Sequence, residues 1–300
     1  MSGIGLYFHV PFCRRKCSYC NFYSAPATSE QMAAYTEAVC RNLRHYTSNT
    51  VADTLYFGGG TPSLLAPEQL EQILACAAAC FSIPPDAEIT LEANPATLTP
   101  ENLRRLRAAG VNRLSLGVQS LSDAQLRRLG RMHTAQEALD TVEAAAGAGF
   151  RNISCDVMLA LPKQTPAELS ETLEQMAQLP IQHISAYLLK IESGTPFARQ
   201  HAEQECPDED TAADLYLQTV RTLEQAGFRQ YEISNFAKTG YESRHNCKYW
   251  RCVPYLGIGP SAHSCWEGKR FFVPSDTADF LAQPVQRVVL EDAQPCTPEE

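Results

Sequence analysis

The stretch "HVPFCRRKCSYCNF", residues 9 to 22, carries three cysteines, Cys13, Cys17 and Cys20, within eight positions. Zinc sites and ferredoxin clusters usually take four protein ligands, and no fourth cysteine follows within reach. A four-iron cube held by three thiolates keeps an open position on its fourth iron, where a small molecule can bind. Spacings of three and two residues let one loop wrap one edge of such a cube. Arg14, Arg15 and Lys16 lie inside the loop, where positive charge favours thiolates and offsets the negative charge of a cluster. The alternative is a Cys₃His zinc site that borrows His9. The His-x₃-Cys spacing along an extended strand aims those two ligands awkwardly. Covalent haem attachment is excluded, because Asn21 follows Cys20 where that motif requires histidine.

Outward from this loop the chain alternates short β-rich runs with helical patterns. The runs "IGLYFHV", "DTLYFGG", "EITLEAN", "RLSLGVQ", "ISCDVML" and "HISAYLL" read as strands. Ser122 with Gln125, Thr134 with Glu137 and Thr165 with Glu168 form capping-box patterns, and Pro100 and Pro166 suit first helical positions. Gly110, Gly149 and Gly227 follow helical runs, as left-handed caps do. Strand–helix alternation at this spacing predicts parallel strands with crossover helices. Six units make an α/β fold of the partial (β/α)6 TIM-like barrel kind, over residues 1–230. The rhythm then stops, and residues 231–300 form an aromatic, Gly- and Pro-rich C-terminal extension. The chain ends on "CTPEE", where Thr297, Pro298 and Glu300 read as another helix start, so the natural protein is expected to continue.

Alternation assigns the two faces of the strands. Leu114, Leu116 and Val118 point one way on the fourth strand, and Ser115, Gly117 and Gln119 the other. The third strand sets Ile89, Leu91 and Ala93 against Thr90, Glu92 and Asn94. The fifth sets Ile153, Cys155 and Val157 against Ser154 and Asp156. Helices cover the apolar side, so the polar side faces the barrel axis. A closed eight-stranded barrel fills its axis with branched apolar residues. Polar groups there predict either a cavity for a polar ligand or a wet face.

Composition bounds the function. The chain has 300 residues, 44% apolar and 20% charged, with a net charge of −9 and a pI near 5.3. That charge argues against nucleic acid. The triplets Arg104, Arg105, Arg107 and Arg127, Arg128, Arg131 read as solvated helix faces rather than phosphate tracks. No uncharged apolar run reaches the length of a membrane helix, so an integral membrane protein is not expected. Twelve cysteines without a secretory leader predict a reducing cytoplasm. Cys40, Cys76, Cys80 and Cys155 sit in apolar patterns and read as buried small hydrophobes.

"CRRKCSYC" resembles the C-x₃-C-x₂-C motif of the radical SAM superfamily, whose fold is such a partial barrel. "YFHVPFC" and the "GGGTPS" after the second strand resemble its coproporphyrinogen-oxidase-like branch, and the resemblance covers most of the chain. It implies a 4Fe–4S cluster on Cys13, Cys17 and Cys20. S-adenosylmethionine would be chelated by the open iron and cleavable to a 5′-deoxyadenosyl radical. Carried over by motif, Tyr7, Gly59, Gly60, Thr61, Glu92, Gln119, Arg131 and Asp156 resemble the S-adenosylmethionine contacts. Tyr19 corresponds to a second-nucleotide contact in the oxidases. Those oxidases carry a fourth cysteine two residues after the third, and here Phe22 stands in its place. "HNCKYW", residues 245–250, resembles the H-N-x-x-Y-W motif of the HemW-type haem chaperones. That likeness implies haem contact through His245, Tyr249 and Trp250, with flat aromatic faces suited to a porphyrin. It also implies delivery to apo-haemoprotein acceptors such as respiratory-chain proteins, and a reductant for the cluster. The enzymatic alternative is radical decarboxylation of coproporphyrinogen III.

Overall fold

The six runs read as strands lie side by side in the computed structural model, which describes residues 3–285 and 288–290. They are β1 (Ile4–Val10), β2 (Ala52–Gly59), β3 (Glu88–Ala93), β4 (Arg113–Gln119), β5 (Ile153–Leu159) and β6 (His183–Leu188). Each runs parallel to its predecessor, in sequence order. The crossovers are α1 (Ser29–His45), α2 (Pro67–Cys80), α3 (Pro100–Ala108), the pair α4 (Asp123–Leu129) and α5 (Ala135–Gly147), and α6 (Pro166–Gln178). After β6 come α7 (Pro196–Arg199) and α8 (Glu209–Gln225), and α8 packs against α6.

Helix starts follow local chemistry. Thr134 and Glu137 make the full reciprocal box, with Glu137 N–H donating to Thr134 Oγ1 (3.2 Å) and Thr134 N–H to Glu137 Oε2 (2.7 Å). Ser122 and Thr165 make only the forward bond. Their returning partners are used elsewhere, because the Gln125 amide donates to Glu168 Oε2 and to the Pro162 carbonyl. Gly110 and Gly149 close their helices at φ +110° and +94°, where a Cβ would be strained. The expected helix start at Thr297 to Glu300 lies outside the described residues.

The two faces of the strands separate as alternation predicts. Leu114, Leu116 and Val118 are buried in one continuous core with Ile153, Cys155 and Val157 and the covering helices. Cys40, Cys76 and Cys80 belong to the same core. Arg104 and Arg107 are exposed, and half-buried Arg105 pairs with Glu68 at 2.6 Å on the surface.

The sheet does not break at residue 230. β7 (Arg229–Gln230) and β8 (Asn235–Ala237) extend it antiparallel beyond β6. On the opposite edge, past α9 (Arg244–Trp250), β9 (Tyr255–Ile258) pairs parallel with β1. β10 (His263–Trp266) and β11 (Lys269–Phe272) follow, then α10 (Thr277–Ala282) and β12 (Val289–Leu290). The order is β12-β11-β10-β9-β1-β2-β3-β4-β5-β6-β8-β7, a sheet that curls without closing.

The "HNCKYW" segment is α9, and it plugs the end of the barrel where the parallel strands begin. The Glu88 carboxylate, at the start of β3, accepts from the Arg244 and His245 amides at 3.0 Å each and so caps the helix. His245 is wholly buried, sharing hydrogen bonds with Thr54 Oγ1 through Nδ1 (2.9 Å) and with the Tyr249 hydroxyl through Nε2 (2.8 Å). Lys248 pairs with Asp53 at 2.6 Å. Burial first, then the charges of Lys248 and Arg113, push the His245 pKa down to about 3, so its imidazole is neutral.

Removing this ring leaves two buried hydroxyls without partners. His245→Ala is expected to lower unfolding free energy by about 2 to 4 kcal/mol in urea titrations at neutral pH. The unfolded chain binds the proton His245 refuses, so its contribution is lost as pH falls from 6.5 toward about 3. The variant should show a weaker acid dependence of stability over that window.

Candidate functional site

Two ends of the barrel face solvent differently, and the cysteine loop lies at the end where the parallel strands finish. Its base is closed by the Cys13 amide donating to the Ala25 carbonyl (3.0 Å) and the Ala25 amide to Pro11 (2.9 Å). Its far side is tied down by the Ser18 amide on the Leu129 carbonyl and the Phe197 amide on the Ser18 carbonyl, both 2.9 Å. The glycine run after β2 extends the β1–β2 pairing into the loop. The Gly60 amide donates to Val10 (2.9 Å) and the Thr61 amide to Phe12 (2.7 Å). A Cβ at Gly60 would lie 2.5 Å from the Phe12 carbonyl oxygen, and one at Gly59, already at φ +104°, would lie 2.7 Å from the His9 ring. The chain's own close approach therefore demands these glycines.

Between loop, glycine run and strand ends lies a cavity of about 350 Å³. Cys13, Cys17 and Cys20 form one wall, and Gly59, Gly60 and Thr61 another. Glu92, Ser115, Gln119 and Asp156 line the depth, with Tyr19 and Arg131 beside the cysteines. The sulfurs have donors: Thr61 Oγ1 donates to Cys13 Sγ at 3.4 Å, and Arg131 Nη1 to Cys17 Sγ at 3.5 Å. Arg131 also donates to the Gly117 carbonyl, so it turns inward rather than joining a solvated helix face. Cys13 Sγ in turn donates to the Arg15 carbonyl at 3.0 Å, and Arg14, Arg15 and Lys16 are exposed around the rim. His9 shares hydrogen bonds with the Tyr7 hydroxyl (3.2 Å) and the Tyr23 carbonyl (3.0 Å), so the zinc alternative loses its histidine. Among the described residues no three His, Cys, Asp or Glu side chains close around one point. Three thiolates at separate corners of a cube need no such convergence, so the donor set fits a cluster better than a single ion.

The carboxylates are unusual. Tyr56 donates its hydroxyl to Glu92 Oε1 (2.7 Å) and the Gly59 amide donates to Oε2 (3.2 Å), while Ser115 Oγ donates to Asp156 Oδ1 (3.3 Å). Protein atoms surround both, and burial raises Glu92 to about 7 and Asp156 to about 6, against these hydrogen bonds. Such groups accept hydrogen bonds from a hydroxyl- or ammonium-bearing ligand and gain from its arrival. Gln119 holds φ +70° where the β4–β5 register shifts, a strained backbone at the cavity wall.

Of the residues expected at one site, Tyr19, Gly59, Gly60, Thr61, Glu92, Gln119, Arg131 and Asp156 meet the three cysteines around this cavity. Tyr7 lies behind the wall, its ring stacked against Tyr56 and its hydroxyl on His9. His245, Tyr249 and Trp250 are not brought to the cavity. His245 is wholly buried in the barrel floor, with both ring nitrogens bonded to the Thr54 and Tyr249 hydroxyls. Tyr249 is half-buried beside it, and Trp250 faces outward, 64% exposed. Sequence reasoning missed Met158 and Tyr187, although the two-residue period that finds Asp156 points to both. It also missed His133, which joins Asn94 Oδ1 to the Val118 carbonyl and is buried on a loop with no period to read. Phe22 stands at the rim, 63% exposed.

Residues 7–176 match the family model of the Radical SAM superfamily. The mouse protein named radical S-adenosyl methionine domain-containing protein 1, mitochondrial, is 43% identical over 91% of this chain. The chain spans only 61% of that relative's length. Heme chaperone HemW of Lactococcus lactis is 38% identical over 95% of this chain and 76% of its own. Among solved structures, coproporphyrinogen III oxidase (HemN) from Escherichia coli superposes with a TM-score of 0.82 at 26% identity, covering 94% of this chain and 69% of the oxidase.

A carboxyl that titrates near 7 when folded and near 4.5 when unfolded takes up a proton on folding between those values. Its stabilising contribution is complete below 4.5 and lost as pH rises through 7. Thermal unfolding of the ligand-free protein should therefore weaken from pH 5 to 8. Glu92→Gln should flatten that fall by about 2 to 3 kcal/mol, read by calorimetry.

Proposed function

We infer the function of this chain from its family, for it belongs to the radical SAM superfamily and, within it, to the family of the proteins named heme chaperone HemW. We propose that it holds a 4Fe–4S cluster and S-adenosylmethionine at the cavity, and that it binds haem and passes it to acceptor haemoproteins. The observation that carries the haem reading is the 38% identity to a heme chaperone over nearly the whole of this chain and three quarters of that protein. Phe22, at the position where the oxidases carry a further cysteine, favours the same side. The likeness to the oxidase fold supports the second reading, decarboxylation of coproporphyrinogen III.

Cys13, Cys17 and Cys20 would hold the cluster, which with S-adenosylmethionine supplies one-electron chemistry at a sulfonium bond. The chain's own residues supply the rest. Thr61 and Arg131 stabilise the Cys13 and Cys17 thiolates by donating to sulfur. Glu92 is aimed by Tyr56 and Gly59 as an acceptor for paired hydroxyls, and Asp156 by Ser115. The Gly59 and Gly60 backbone lets a ligand approach without meeting side chains. Haem contact through α9 falls to Trp250, the member of its motif with an open face. Respiratory-chain proteins are the acceptors we infer, with a separate reductant for the cluster.

Among the described residues no helix is long and apolar enough to cross a membrane. The described cysteines from Cys13 to Cys247 are free thiols, which supports a reducing compartment, the cytoplasm in our reading.

The test sets haem uptake against turnover. Cys17→Ala should lose most of its iron after anaerobic reconstitution, whereas Cys247→Ala should keep it. The reconstituted wild type should take up haem stoichiometrically and make no protoporphyrinogen from coproporphyrinogen III. Trp250→Ala should weaken haem binding roughly tenfold. In folded His245→Ala the Soret band should stay where it is. Steady turnover of coproporphyrinogen without haem uptake would restore the oxidase.

A further inference from the structure

Arg113 is the largest wholly buried side chain among the described residues, 1% exposed, and neither the cysteine motif nor the haem motif accounts for it. It opens β4 on the inward face that continues as Ser115, Gly117 and Gln119. In the register of the sheet it stands opposite Thr90, two residues below Glu92 on β3. Ser115, next on the same face, stands opposite both Glu92 and Ser154, and Ser154 is two residues below Asp156 on β5. In that register Arg113 lies one same-face step beneath Glu92 and two beneath Asp156. Arg113 Nε has no hydrogen-bond partner, nor has the neighbouring Thr90 Oγ1.

A buried guanidinium is costly unless its charge is used. The other charges of the floor are accounted for: Lys248 is paired with Asp53, and Glu88 accepts the α9 amides. Arg131 donates to Cys17 and Gly117 at the far end and also favours the charged form of Asp156, with less effect than Arg113. The groups that feel Arg113 are Tyr56 of β2, Glu92 of β3, Asp156 of β5, His183 of β6, Tyr231 after β7 and His245 of α9. Burial and this charge keep both histidines neutral. Among the groups whose proton affinity Arg113 influences, Glu92 and Asp156 are the two carboxyls. Their hydrogen-bond partners are Tyr56, Gly59, Ser115 and Ser185, so Arg113 acts on them through a poorly screened interior.

We propose that Arg113 is a positioning residue of the cavity, a fixed buried cation that biases Glu92 and Asp156 toward carboxylates and so toward acceptors for the ligand's hydroxyl and ammonium groups. Its functional meaning rests on the cofactor reading above. Burial drives both carboxyls toward their neutral acids even with Arg113 in place, and a neutral acid gives a ligand no charged acceptor. Arg113 opposes that drift from below and leaves the cavity face clear.

The experiment is an infrared pH titration of the carboxylic-acid carbonyl bands in the whole chain without ligand, with the bands assigned through Glu92→Gln and Asp156→Asn. In Arg113→Gln both midpoints should rise by about one pH unit or more, while Arg113→Lys, which keeps the charge, should titrate as the wild type does. With the cluster reconstituted, Arg113→Gln should bind S-adenosylmethionine roughly tenfold more weakly at neutral pH and recover at alkaline pH, its iron content unchanged. Wild-type midpoints in a folded Arg113→Gln protein would overturn the proposal. Should that variant not fold, Arg113→Lys decides: unchanged midpoints uphold the role of charge, and displaced ones refute it. Shifted bands in a chain whose wild type binds no S-adenosylmethionine would overturn the cofactor reading and leave the electrostatic one standing.

Discussion

The mouth of this barrel depends on two backbone hydrogen bonds, from Gly60 to Val10 and from Thr61 to Phe12. They continue the β1–β2 pairing past the end of regular structure and lay the glycine run against the cysteine loop. No side chain fits between them, since a Cβ on Gly60 would overlap the Phe12 carbonyl. That contact carries Thr61 to Cys13 and keeps the Gly59 amide on Glu92. The cysteine wall and the carboxylate depth are therefore parts of one rigid edge rather than two loops that happen to meet.

A second constraint runs along the barrel axis. Polar side chains inside a sheet are tolerated only when partnered or when they face a ligand. The histidines of the floor meet this: Ser154 and Tyr231 hold His183, while Thr54 and Tyr249 hold His245. The mouth does not meet it alone. Glu92 and Asp156 stay half-buried with raised proton affinities, and Gln119 keeps a left-handed backbone. Raised proton affinities and a strained backbone gather at the mouth, while paired hydrogen bonds hold the histidines of the floor, as expected of a site built on a stable base. The carrier reading fits this division, because the α9 segment stabilises the floor while its Trp250 looks outward.

Much of the fold was legible in the sequence because its signals are local. A strict two-residue period named the inward residues of β3, β4 and β5, and capping chemistry marked the helix starts. The cysteine spacing and the glycine run stated their chemistry without reference to anything distant. Boundaries suffered where a partner lay far off in sequence: Gln125 and Glu168 satisfy one another across 43 residues, so two predicted reciprocal boxes are half-made. The aromatic C-terminal stretch carries no period, and nothing local says that β8 joins one edge of the sheet and β9 the other.

By itself the sequence determined the order of six strands, the polar character of their inner face, and three thiols in one loop with glycines at the next strand's end. These follow from steric and periodic rules that act within a few residues. Only the tertiary structure decided which polar groups share a space. It gave His245 to the barrel floor, because Glu88 at the start of β3 caps the helix and draws the imidazole inward onto Thr54. It set Arg113 beneath Glu92 and Asp156, a relation created by the register of three parallel strands. Register is a property of pairing between distant segments, and burial, which sets the charge of those groups, exists only once the sheet has curled around them.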